Sequence, residues 1–283
     1  MTLLSDAVAD HQAEPTLFSA LVDDAAVFPP GNAPLAAAVR LHRLHRHSGY
    51  AAIVGPLLVP AAAAAELLEL VGDEPLRVVV VARPGTPVGQ VTDALALLRT
   101  RPEVQVSAVE LGWTPGWRDA GLEPPLTLEV PRGDTQAQAL ADLAAGATDS
   151  VVLQAKFRTG ATPTWPWPDE TELATFIRAA IDHDLGFKLT GGLHHAVRGR
   201  YADEEQHGLL NVLTAVRWAL NGEDVDELVP LLSERDPAAL VPQVTRMSAA
   251  DAAIVRAFFT AYGCCAVTDP IGELTTLALI QGA

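Results

Sequence analysis

Eight short apolar runs recur along this chain, and stretches with helical periodicity separate most of them. They lie near residues 17, 50, 76, 104, 126, 151, 186 and 264. Two of them, YAAIVGPLLV and LRVVVVA, are apolar almost throughout. That is the pattern of a strand covered on both faces rather than one. Strands that alternate with helices need right-handed crossovers, and these produce a parallel sheet. Eight such units predict an α/β fold, a (β/α)8 TIM-like barrel with extra C-terminal helices. The alternative is an open doubly wound sheet, which usually carries a glycine-rich loop after its first strand. Here that position reads VDDAAVFPPG. A chain of 283 residues, 49% hydrophobic and without a Ser-rich linker, is enough for one such domain over 1–283.

Within that frame the pattern makes specific demands. The first strand is expected over 17–22, with Asp23 and Asp24 at its end. A helix over 34–47 would bury Leu35, Val39, Leu41 and Leu44, leaving His42, His45 and His47 among arginines on a solvated basic face. Gly55-Pro56 reads as a bulge in the second strand. No helix is legible between strands four and five. Asp134 is placed to cap a helix over 134–145. A helical insertion around 204–262, with helices at 206–220, 225–233 and 249–262, precedes a last strand at 264–268.

Composition narrows the partners. A net charge of −16 opposes nucleic acid and anionic membrane. No apolar run reaches the ~20 residues that span a bilayer. Residues 1–15 lack the basic start and apolar centre of a signal peptide. The two cysteines, Cys264 and Cys265, are adjacent, and a disulfide between neighbours would strain the peptide bond joining them. A reduced, cytoplasmic protein acting on a small molecule is expected. The apolar C-terminal helices would cover the barrel or pair two subunits.

Lysine is almost absent. Lys156 and Lys188 are the only two, against seventeen arginines. Each ends an apolar run shortly before a glycine. Arginine stays protonated in proteins, whereas lysine can be driven to a neutral, nucleophilic amine. In a barrel, site residues lie at the C-terminal ends of the strands. That rule gathers Asp23 and Asp24, Glu110, Glu129, Lys156 and Lys188, with His194 and His195 in the following loop. Burial and mutual repulsion are expected to lower the amine pKa values, and a nearby carboxylate would shuttle protons. Arg158 and Arg198 could hold an anion through their guanidinium forks. Gly191-Gly192 could bring backbone close to one. Trp165 and Trp167 would lid the site or pack on its rim.

The segments KFRTG and GFKLTGGL, separated by a helix, resemble the paired lysine motifs of deoxyribose-phosphate-aldolase-like class I aldolases. The likeness covers about fifty residues well and the rest only in element order. It implies a lyase in which Lys156 forms a Schiff base with a carbonyl substrate. Lys188 would lower its pKa, Glu110 would assist proton transfer, and an acidic first-strand residue, Asp23 or Asp24, matches in position. No cofactor is implied. The chain departs from the family in Phe157 and Arg158, where small hydroxyl residues are usual, and in Glu110, where Asp is usual. It also has LHHAVR after the glycines, and Asp269-Pro270 where a phosphate loop is expected.

Two other readings stay open. His194, His195 and His207, with Glu110, Glu129 or an N-terminal aspartate, supply ligands for a divalent metal, with Lys156 as base or carbamylated ligand. Adjacent histidines on an extended segment point opposite ways, and no HxH, HExxH or CxxC pattern joins His194, His195 and His207. The last reading is a non-catalytic barrel whose mouth binds an anion.

Overall fold

A computed structural model describes residues 17–83, 85–123, 125–147 and 152–281. The signal-peptide reading of 1–15 and the start of the expected sixth strand, Val151, lie outside them. Among the described residues eight parallel strands close into a barrel. They are β1 (Val22–Asp24), β2 (Val54–Pro60), β3 (Leu76–Val81), β4 (Val104–Gly112), β5 (Leu126–Glu129), β6 (Leu153–Arg158), β7 (Phe187–Thr190) and, after the hairpin strands β8 (Gly199–Tyr201) and β9 (Glu204–Gln206), β10 (Phe259–Cys264). β10 sits between β7 and β1 and completes the ring. The helices are α1 (Leu35–Arg46), α2 (Ala64–Leu70), α3 (Val88–Leu98), α4 (Gln136–Gly146), α5 (Glu170–Asp182), α6 (Leu209–Leu220), α7 (Val225–Ser233), α8 (Pro237–Thr245), α9 (Ala249–Phe258) and α10 (Thr268–Thr276). The insertion between β7 and β10 thus holds the β8–β9 hairpin and helices α6 to α9. Among the described residues no helix is long and apolar enough to cross a membrane.

The expected TIM-like barrel is the observed one, and the chain uses its period-two alternation to build two different interiors. Leu153, Ala155 and Phe157 of β6 and Phe187 and Leu189 of β7 face outward and are buried under helices. Burying each large apolar side chain contributes roughly 1.5–3 kcal/mol. Phe157, Phe176 of α5, Phe187 and Phe259 form a continuous aromatic row, with ring centroids 4.7, 5.2 and 5.6 Å apart. This row fixes β6, β7 and β10 against one another. It thereby fixes the intervening residues, which point into the barrel. The inward set includes Gln154 and Lys156 on β6 and Lys188 on β7. Ala25, Leu58 and Val79 form a separate, small apolar cluster.

The sequence expectations differ from the structure at several points. Residues 17–20 form a turn, and β1 is Val22–Asp24, so Asp23 and Asp24 belong to the strand itself. Alternation then sends them to opposite faces. The helix expected over 249–262 stops at Phe258, and the last strand is Phe259–Cys264, not 264–268. The apolar spacing of AFFTAYG fits either period, and tertiary pairing with β1 and β7 decides it. On α1 the buried positions are Leu35, Ala38, Val39 and His42, while Leu41 and Leu44 are exposed. The solvated-face reading therefore fails for His42. α4 begins beyond Asp134, with Thr135 at its N-cap and no side-chain cap bond.

Other expectations hold. The Gly55-Pro56 bulge is present as a register shift between β1 and β2. Between β4 and β5 the described residues form no α-helix, and a loop with one 3-10 turn, Trp117–Ala120, is pinned to α4 by one carboxylate. Trp113 and Trp117 each donate an indole N–H to Asp142 Oδ2, at 2.9 and 2.8 Å, and Arg118 bonds Asp142 Oδ1.

Candidate active site

Lys156 and Lys188 are paired residues on adjacent parallel strands. Parallel pairing puts both ammonium groups on the same face, inside the barrel. Two buried like charges side by side would be costly, and the fold answers this with carboxylates from across the ring. Glu110 of β4 reaches between the lysines. Its Oε2 accepts from Lys156 Nζ at 2.9 Å, and its Oε1 accepts from Lys188 Nζ. Lys188 also donates to Asp23 of β1. Lys156 contacts Glu129 of β5 at 2.9 Å, and Glu129 accepts from Arg158 Nε at 2.8 Å. The result is an alternating row: Asp23, Lys188, Glu110, Lys156, Glu129, Arg158. It contains three anions and three cations and is neutral as a whole. Asp23, Glu110, Lys156 and Lys188 are each less than 5% exposed.

This arrangement corrects the expected pKa direction. Burial pulls the Lys156 ammonium down, but Glu110 and Glu129 outweigh burial, and its pKa is raised. Burial likewise opposes the charge on Lys188, and Asp23 and Glu110 overcome it, again raising the pKa. Repulsion between the amines is screened because a carboxylate stands between them. Glu110 is pushed up by burial and down more strongly by the two lysines, to about 2. Glu129 is also lowered, with Lys156 and Arg158 outweighing burial. Asp23 goes the other way, because burial dominates and raises it against the pull of Lys188.

Above this row a cavity of about 460 Å³ opens at the C-terminal ends of the strands. Lys156 and Glu110 form part of its floor, and its walls include Phe28, Arg83, Trp113, Arg158 and His194. Lys188 and Asp23 lie deeper, behind Glu110. Thus Lys156 faces the solvent-accessible space and Lys188 backs it.

The remaining expected site residues divide. Gly191 lines the cavity with φ +74°, and a side chain there would meet Arg158. Gly192, at φ +147°, instead packs beneath Trp167, and a Cβ there would lie 2.4 Å from its ring. Trp167 therefore packs beside the site, while Trp165 is exposed beneath the Arg132 guanidinium. Asp24 is turned to the outside of the barrel. Its Oδ2 pairs with His42 Nδ1 at 3.0 Å, so it leaves the expected catalytic set. His195 pairs with Glu273 at 2.7 Å and stacks on Tyr201, away from the cavity. Arg198 is buried between Glu170, at 2.5 Å, and His207, at 3.1 Å. It secures the insertion instead of holding a ligand. Adjacent positions on extended backbone diverge, which separates His194 from His195 just as it separates Asp23 from Asp24.

The three histidines of the metal reading go to different places. His194 faces the cavity, His195 faces Glu273, and His207 accepts from Arg198 at Nδ1 and donates from Nε2 to the Pro168 carbonyl. Among the described residues no group of three or more His, Cys, Asp and Glu side chains is arranged to hold a metal ion.

Arg83, Phe28 and Cys265 line the cavity and were not among the expected site residues. Arg83 follows β3, where the strand-end rule would have found it. Phe28 sits under its guanidinium, with 5.2 Å from the cation to the ring centroid. Cys265 lines the wall, with its sulfur 3.7 Å from His194 Nε2. Burial lowers the His194 pKa against the pull of Asp269, which keeps the imidazole neutral near pH 7. The sequence matches no protein-family model and none of the curated proteins with which it was compared.

Proposed function

We propose that this protein is a lyase of the class I aldolase type, acting on a small oxygenated carbonyl compound through a Schiff base on Lys156. One observation carries the reading. Four strands, β1, β4, β6 and β7, contribute Asp23, Glu110, Lys156 and Lys188 to one hydrogen-bonded row, and Lys156 is its lysine open to the cavity. These are the positions that the resemblance to deoxyribose-phosphate-aldolase-like enzymes picks out.

The chemistry requires a neutral amine, and the resting row holds Lys156 as an ammonium. A substrate filling the cavity removes water from the floor. Loss of water disfavours the separated charges of an ion pair relative to amine and carboxylic acid. The Lys156 proton then passes to Glu110 or Glu129, both within hydrogen-bonding reach. The freed Nζ adds to the carbonyl carbon, and the carbonyl oxygen takes up a proton to give a carbinolamine. Loss of water leaves a protonated imine. That imine accepts the electron pair when the neighbouring carbon–carbon bond breaks, while a carboxylate takes the hydroxyl proton and a carbonyl fragment leaves. The resulting enamine is reprotonated at carbon, and water hydrolyses the product imine to release the second fragment and free Lys156. Lys188 stays charged and keeps Glu110 oriented between the two amines. Free thiols at Cys264 and Cys265 suit a reducing, cytoplasmic setting.

Borohydride trapping tests the reading. The protein is incubated with a panel of small aldehydes and ketones, reduced, and analysed by intact mass and peptide mapping. The expected result is a stable adduct on Lys156, absent from Lys156→Arg. An adduct confined to other amines, or trapping that survives Lys156→Arg, rejects it and favours a barrel that binds without turnover.

A further inference from the structure

A second cavity, of about 270 Å³, lies at the opposite end of the barrel. It is lined by the beginnings of β2, β3 and β4 and by the end of α1: Gly55, Arg77, Gln105, Arg43, Arg46 and His47 among others. In a chain of net charge −16 this wall carries three arginines and a single carboxylate, Glu74.

Arg46 donates Nη1 to the carbonyls of Ala51 and Val54, at 2.6 and 2.7 Å, and so closes the turn before β2. Arg43 bonds the carbonyl of Val71 through Nη2, and its buried Nε lies 3.4 Å from Glu74 Oε2, an ion-pair contact without hydrogen-bond geometry. Arginines in the last turn of α1 also complement its negative end. Arg77 has no such explanation. It is the second residue of β3 and lines the cavity, and among the described residues its side chain makes no hydrogen bond or ion pair. Among the described residues the side-chain amide of its register neighbour Gln105 likewise makes no hydrogen bond. Among the described residues neither Arg46 nor Arg77 has a carboxylate partner. Burial and then Arg77 lower the Arg46 pKa, which marks an uncompensated like-charge contact. Such a contact costs stability, so packing alone gives no reason for placing Arg77 here.

We propose that this cavity is a binding site for a small dianionic oxyanion, of the phosphate or phosphomonoester class, held by Arg77 and Arg46 with Arg43 and Gln105 at its edge. Three guanidinium charges against one carboxylate leave an excess of two, matched to a dianion. Planar guanidinium forks are suited to tetrahedral oxyanions, and charge-assisted hydrogen bonds supply the affinity. The site is independent of the Schiff-base reading, but it touches the same machinery. Gly55 lines this cavity, and a Cβ on it would lie 2.0 Å from Asp23 Oδ1. A bound anion therefore sits just behind the buried end of the charged row.

The test is calorimetric titration of the full chain with inorganic phosphate, against chloride at equal ionic strength. Three proteins are compared: wild type, Arg77→Gln and Arg83→Gln. Arg77 is exposed and its side chain has no partner among the described residues, so its replacement is expected to leave the fold intact, which circular dichroism checks. The expected result is saturable phosphate binding to wild type, weakened at least about tenfold in Arg77→Gln by loss of a charged donor, and unchanged in Arg83→Gln. The proposal is overturned by absence of saturable binding to wild type. It is equally overturned if Arg77→Gln binds as wild type does, or if Arg83→Gln loses binding, which would move the anion to the mouth cavity.

Discussion

Lys156 and Lys188 share one carboxylate: Glu110 accepts from Lys156 through Oε2 at 2.9 Å and from Lys188 through Oε1. The shared partner explains why two buried ammonium groups coexist on neighbouring strands. It also makes Glu110 the residue whose removal is felt by both. Taking away one member of a buried ion pair leaves its partner uncompensated, at a cost of about 3–5 kcal/mol.

Glu110→Gln is therefore expected to lower the thermal midpoint and to lower the pKa of both lysines together. The pH dependence of amine acetylation, read by peptide mass, measures this. A variant in which only one lysine shifts would contradict the shared bridge.

Asp23 and Asp24 are neighbours in sequence with separate fates, and their amide variants should diverge. Asp23→Asn removes a partner of Lys188 and should lower its pKa and reduce borohydride trapping. Asp24→Asn loses only the contact to His42 and should change stability while leaving trapping within about twofold of wild type. Equal loss of trapping in both variants would restore Asp24 to the site.

Acid stability should fall in two windows. Burial, then Arg198, lowers the His207 pKa to about 4, so the unfolded chain takes up this proton first, near 6.5. Stability from the neutral imidazole is complete above that value and is lost as pH falls towards 4. Glu110, held at about 2, contributes stability that is complete above roughly 4.5 and is lost as pH falls towards 2. Each is worth on the order of 3 kcal/mol at most. Asp23 has the opposite sign, since its raised pKa favours folding at low pH and partly offsets Glu110. Lys156 and Lys188, both raised, hold their contribution below about 10.5 and lose it in stronger alkali. Urea midpoints at pH 7 and 5 should differ in wild type and differ less in His207→Gln.

Gly55→Ala places a methyl group against the Asp23 carboxylate. Overpacking of this kind costs typically 1–3 kcal/mol. Because the group displaced is Asp23, the variant should also weaken the hold on Lys188. Its thermal midpoint and its lysine labelling profile should move together. A drop in stability with an unaltered profile would show that Asp23 yields without releasing Lys188.

Burial raises the pKa of both thiols, more for the enclosed Cys264 than for Cys265. Alkylation by iodoacetamide at pH 7.5 should be slow, with Cys265 modified first because it lines the cavity. A small carbonyl compound that occupies the mouth should slow it further, and that protection gives a binding assay independent of turnover.

The order of strands and helices was legible because apolar runs and helical spacing are local. The lysine pair was legible because it is rare and recurs at matching strand positions. The same local information failed at AFFTAYG, where spacing fits a helix or a strand and only pairing with β1 and β7 selects the strand. It failed for His42, whose basic neighbours suggested a solvated face although Asp24 draws it inward.

The charge state of the lysines was beyond the sequence altogether. Two amines at strand ends gave an expectation of mutual repulsion and lowered pKa values. The barrel brings Asp23, Glu110 and Glu129 from 27 to 165 positions away in the chain, and the sum of those contacts reverses the sign. Sequence by itself determined the barrel and named the amines, since periodicity and residue type are properties of short stretches. Which carboxylates meet those amines, and therefore which proton each holds, was decided only by closure of the ring, because electrostatic energy depends on distances through space.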